Sequence, residues 1–147
     1  MKQVDFYLIS NRVNDAKYKL ASRLANKLQR LKQSCLIVTD SSEETTQLDR
    51  VMWSFSDSSF LAHDLTSESK PQSSIQIGDR NSITPPVLER QHDVLINLSS
   101  DIPIFNHNFS RIAEIVEADD SSKASARTRY KTYQGEGFEL KMHNIEL

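Results

Sequence analysis

The sequence predicts a single α/β domain: a mostly parallel sheet with helices on both faces, Rossmann-like in topology but without a glycine-rich nucleotide loop. Three observations carry this. Residues 4–9, 35–39 and 93–98 are short, nearly continuous apolar runs of the kind found in strands covered on both sides. Segments with helical periodicity alternate with them, and a strand, helix, strand order implies crossovers and hence parallel pairing. The length, 147 residues, is that of one domain with one sizeable core.

Taken in order, residues 4–9 open the fold as a strand. Residues 15–32 follow as a helix whose apolar positions Leu20, Leu24, Leu28 and Leu31 are joined by Ala21 and Ala25, with Asn14 or Asp15 placed to cap it. Residues 35–39 form a second buried strand, in which Cys35 reads as a small core side chain. Ser41 or Ser42 opens a second helix, which runs to about Trp53. Glu44 stands where a capping box anchored on Ser41 requires it. Residues 54–92 hold three of the four prolines and many serines. They read as an irregular connection, most irregular over 66–92, within one domain spanning 1–147, with residues 75–77 as a short strand. Residues 93–98 are the third clear strand, 105–110 a turn of helix, 112–116 a fourth strand and 120–134 the last helix.

Composition narrows the function. Hydrophobic residues make up 37% and charged residues 26%, and the apolar runs fall far short of the ~20 residues that span a bilayer. The chain reads directly into a strand rather than an apolar signal segment, so a cytoplasmic location and no membrane contact are expected. Eighteen basic and twenty acidic residues give a net charge of −2, which argues against a general nucleic-acid coat. One cysteine makes neither an internal disulfide nor a thiolate metal cluster. The first strand-to-helix turn, Ser10-Asn11-Arg12-Val13-Asn14, has no glycine, whereas phosphate loops need glycine for close backbone approach. His63, His92, His107 and His143 lack metal-ligand spacing, and His92 beside Asp93 reads as the polar lead-in to a strand. No catalytic residue, metal or cofactor is expected.

Three surface features stand out. Leu48, Val51, Met52 and Phe55 form one apolar stripe on the second helix, and Trp53 points roughly 140° from Leu48. Trp53, the only tryptophan, and Phe60 in its polar surroundings are thus either exposed interface anchors or a satellite core beneath the long connection. On the last helix, Lys123, Arg127, Tyr130 and Lys131 fall within roughly 100° of one another, with no acid between Lys123 and Gln134. Such a face is either a solvated charged surface or a site for a carboxylate together with an apolar side chain. Lys19, Arg23, Lys27 and Arg30 make a basic stripe on the first helix. It reads as a solvated face, with a weak contact to acidic protein or nucleic acid as the alternative.

The order of several short segments then resembles one family. They are Phe6-Tyr7-Leu8, Leu48-Asp49 with Trp53, Ser59-Phe60 with His63, and Asp93-Val94-Leu95-Ile96-Asn97-Leu98. Arg111-Ile112 with Glu114-Ile115-Val116 follows, then Ala126-Arg127 with Arg129-Tyr130-Lys131 and Tyr133, and finally Gly137-Phe138. Over essentially its whole length the chain resembles the chi subunits of the bacterial DNA polymerase III holoenzyme. Ala62 stands where the family often has proline, and residues 66–92 match it poorly. The resemblance implies a noncatalytic replication adaptor, at the replisome, on an α/β fold. It would pair with the psi subunit of the clamp-loader complex and bind the acidic C-terminal tail of single-stranded DNA-binding protein, so that DNA is contacted only indirectly. By position, Trp53 and Phe60 fall on the psi-facing side, and Lys123, Arg127, Tyr130 and Lys131 on the tail-binding helix. The alternative from another class is a small α/β nucleotide-binding enzyme with a degenerate phosphate loop.

Overall fold

The computed structural model describes residues 2–54, 63–66, 74–83, 88, 92–103 and 106–147. Phe55, Phe60 and Ala62 lie outside the described residues. In chain order the elements are β1 (Gln3–Ile9), α1 (Ala16–Arg30), β2 (Cys35–Thr39), α2 (Ser42–Trp53), β3 (Asp64–Leu65) and β4 (Ile75–Asp79). Then come β5 (Val94–Asn97), a 3₁₀ turn (Asn106–Asn108), β6 (Arg111–Val116), α3 (Asp120–Gly135) and β7 (Glu139–Ile145).

The seven strands form one sheet in the order β3-β4-β2-β5-β6-β1-β7, with every neighbouring pair parallel. Crossover handedness sets the layers. The connections β1-α1-β2 and β2-α2-β3 move toward one edge, and the connection β6-α3-β7 moves toward the other. Right-handed crossovers running in opposite directions must place their helices on opposite faces. Accordingly α1 and α2 bury Leu20, Ala25, Leu48 and Met52 against one face. On the other, α3 buries Ala126 and Tyr133 with Val4, Phe6 and Leu36. Cys35 is fully buried, and burial pushes its thiol up to about 12, so it stays protonated and inert.

Local signals explain most element ends. Ser41 caps α2, its side chain accepting from the Glu44 amide at 3.2 Å, while the Glu44 carboxylate turns back to the Asp40 amide at 3.0 Å. That carboxylate also accepts from Tyr18 and Lys17 of α1, tying the two helices together. At the end of α3, Gly137 takes φ 86°, the left-handed geometry that lets the chain turn into β7. Gly78 has another reason: a Cβ there would lie 2.1 Å from Thr66 Oγ1, so only glycine lets the β3 end pack onto β4.

Four local expectations need correction. Asp15 occupies the N-cap of α1 in a left-handed conformation and makes no side-chain cap; its carboxylate instead accepts from Gln47 of α2 at 2.8 Å. Helix α1 stops at Arg30, Lys32 turns the chain at φ 59°, and Leu31 is therefore 59% exposed rather than part of the apolar face. Strand β1 is not uniformly apolar inside, because buried Asp5 accepts from Gln3 and lies 2.9 Å from His143 Nε2. Residues 139–145, unassigned from the sequence, form edge strand β7, in register with β1 from Gln3↔Glu139 to Ile9↔Ile145.

Candidate functional site

Helix α3 is held on the sheet by a buried polar cluster. The carboxylate of Glu114, on β6, accepts from Arg129 Nε at 3.0 Å, Asn97 Nδ2 at 2.8 Å and the Tyr133 hydroxyl at 2.7 Å. Arg129 also donates to the Ser100 carbonyl at 3.0 Å and to Ser125 Oγ at 2.7 Å. Burial pushes the Glu114 carboxyl up, opposed by the Arg129 guanidinium and the surrounding donors. Burial, then the neighbouring Glu114, raise the Tyr133 phenol. At the helix start Asp119 accepts from the Ser122 amide at 2.9 Å.

With Ala126, Arg129 and Tyr133 turned inward, helical spacing turns Lys123, Arg127, Tyr130 and Lys131 toward β1 and β7. All four line one cleft of about 410 Å³, within the range of small-ligand and side-chain pockets. Its apolar floor is Phe6, Leu8 and Val116, and Met142 of β7 contributes its far wall. The Phe6 and Tyr130 rings lie 5.6 Å apart at 50°, a tilted pairing that holds Tyr130 half-buried at the rim. Lys123, Arg127 and Lys131 are exposed, and Glu117 adds a carboxylate to the lining. An apolar pocket rimmed by three cations suits a ligand carrying both an apolar group and negative charge.

Sequence reasoning found the cationic rim and missed the floor. Phe6 and Leu8 read as ordinary strand core; their shared face with Val4 was the available signal. Met142, 52% exposed, lies in the segment that received no assignment.

The other described surface residues lie on elements packed against the opposite face of the sheet. Trp53 lies on α2, on the opposite face of the sheet, and is 51% exposed, while Leu48 and Met52 beside it are buried. Its ring packs 4.6 Å from that of His63, tilted by 44°. His63 is buried and its Nε2 lies 2.6 Å from Asp49 Oδ1, so the tryptophan rests on a fixed polar base. Phe60, its expected companion, lies outside the described residues.

The adjacent C-terminal ends of β6 and β1, whose connections run in opposite directions, form the switch point at which open α/β sheets bind nucleotides. The hollow there measures about 190 Å³ and presents Glu117 and Asp119 beside Arg12. Two carboxylates and a glycine-free turn suit a phosphate poorly. Among the described residues no helix is long and apolar enough to cross a membrane.

Comparison with known proteins agrees along the whole chain. The family described as "DNA polymerase III chi subunit, HolC" matches residues 1–141. DNA polymerase III subunit chi of Pseudomonas aeruginosa is 32% identical over 146 residues, covering 99% of this chain and 98% of that protein. The subunit chi of Haemophilus influenzae is 30% identical, covering 98% of each. That of Escherichia coli is 29% identical, covering 95% of this chain and 96% of the relative. Among solved structures, T4 UvsW superposes with a TM-score of 0.70 at 9% identity, over 98% of this chain and 41% of that one. At that identity the likeness concerns the fold alone.

Proposed function

Because the chain belongs to the chi-subunit family of DNA polymerase III, and so to the machinery of DNA replication, we propose that it is a noncatalytic adaptor working at the bacterial replisome in the cytoplasm. One surface, the α3 cleft, receives the acidic C-terminal tail of single-stranded DNA-binding protein. The other, around Trp53 and Phe60, docks the psi subunit and through it the clamp loader. What supports the tail reading is the convergence of Lys123, Arg127, Tyr130 and Lys131 on one apolar cleft. Arg127 forks onto the terminal carboxylate, the apolar side chain enters between Phe6, Tyr130 and Met142, and Lys123 and Lys131 attract the preceding acids. What supports the psi reading is a half-exposed tryptophan on a rigid base, the type of residue that interfaces use as an anchor.

The test is a titration of a labelled tail peptide by the wild type, Arg127→Ala and Lys131→Glu. Each substitution should weaken binding tenfold or more, about 1.4 kcal/mol. Amidating the peptide's C-terminus should also weaken it, and affinity should fall with salt because the rim charges are screened. If both variants bind within twofold of the wild type at low salt, the tail site is elsewhere.

A further inference from the structure

Helix α1 carries a feature that the adaptor reading leaves unused. Residues 16–32 hold six cations and no acid, although the whole chain has a net charge of −2. Of these, Lys17 pairs with Glu44. Lys19, Arg23, Lys27 and Arg30 are all exposed, and among the described residues none has a carboxylate partner. Their spacing of four, four and three residues keeps them within an 80° arc, one cation per helical turn over about 16 Å. Neighbouring like charges on a helix repel, and among the described residues no ion pair offsets that repulsion.

We infer that this stripe is a contact surface for the phosphate backbone of single-stranded DNA. Charge complementarity selects a polyanion, and the surroundings discriminate between two kinds. An acidic peptide gains affinity by seating an apolar side chain, as the α3 cleft allows. The hollow beside Lys27 measures only about 40 Å³ and seats none. A phosphate backbone needs no such anchor, because release of condensed counterions drives its binding. Four cations and no aromatic on the stripe make the contact weak and indifferent to sequence. It becomes effective when another contact holds the protein beside DNA, since tethering raises the local concentration to the millimolar range. The proposal does not depend on the tail site, because bare DNA carries no tail.

The experiment is fluorescence anisotropy of a labelled 20-nucleotide oligo-thymidine titrated with the full chain in 50 and 200 mM NaCl. Saturable binding is expected at the lower salt, weakening about fifty-fold at the higher, the result for four phosphates at a slope of roughly −0.7 each. The variant K19Q/R23Q/K27Q/R30Q should lose at least tenfold at 50 mM while keeping its melting temperature and its affinity for the tail peptide. Arg127→Ala should show the converse pattern. No binding by the wild type at 50 mM, or equal binding by the quadruple variant, overturns the inference. So does a polyglutamate peptide that displaces the oligonucleotide at an equal or lower concentration of charge, which would assign the stripe to acidic protein.

Discussion

Removing Arg129 should uncouple α3 from the sheet. Its side chain is almost fully buried and donates to a carboxylate that is itself fully buried. Arg129→Ala therefore costs more than a surface ion pair: it leaves Glu114 charged, desolvated and without its cation. Breaking a buried pair in this way costs about 3–5 kcal/mol. For a chain of this length that corresponds to a fall in melting temperature of roughly 10 °C or more. The loss should depend on pH in a defined sense. Burial already raises the Glu114 carboxyl, and loss of the guanidinium raises it further. A carboxyl whose folded-state pKa exceeds its unfolded value binds its proton more tightly when folded, so the variant gains stability as pH falls through that window. Urea denaturation at pH 7.5 and pH 5.5 reads both effects. The deficit should be largest at pH 7.5 and should narrow at pH 5.5, and Glu114→Gln in the variant background should restore part of it. A loss below 1 kcal/mol at pH 7.5, or the same loss at both pH values, would show that the cluster does not hold α3 in place.

Trp53→Ala should weaken psi binding by about 2 kcal/mol or more, as measured by calorimetry, and leave tail-peptide affinity unchanged. If it instead unfolds the isolated chain, the ring is part of the core. Glu44→Gln should cost roughly 1–2 kcal/mol at pH 7 by weakening the contacts from Lys17, Tyr18 and the Asp40 amide. Burial alone would raise the Glu44 carboxyl, but those partners outweigh it and hold the group below the usual carboxylate range. Its contribution is therefore complete above about pH 4.5 and lost as pH falls through the lowered value. Wild type and variant should draw together in urea titrations as pH falls below about 4.5 and differ by a constant amount between pH 6 and 8.

What the sequence determined by itself is local. Burial periodicity repeats over a few residues, so the runs that became β1, β2 and β5, the helices α1, α2 and α3 and the Ser41 cap were legible from neighbouring positions alone. The rim of the cleft was legible for the same reason: the angles among Lys123, Arg127, Tyr130 and Lys131 follow from the pitch of one helix. So was the outward turn of Trp53. Tertiary structure decided everything that depends on residues far apart in the chain. Phe6 and Met142 share a cleft because β7 pairs in parallel with β1, a register with no local signal, since a charged edge strand has only one neighbour to satisfy. Arg129 stands between Arg127 and Lys131 in the chain but is not part of the basic face; it turns inward, because Glu114 on β6 offers a buried carboxylate at that height. Leu31 fits the apolar stripe of α1 and is nonetheless exposed, because the helix ends one residue earlier to send the chain into β2. Periodicity states which face of an element is apolar. Only the packed sheet states what stands opposite that face, and at the α3 cleft that is what joins cations to an apolar floor.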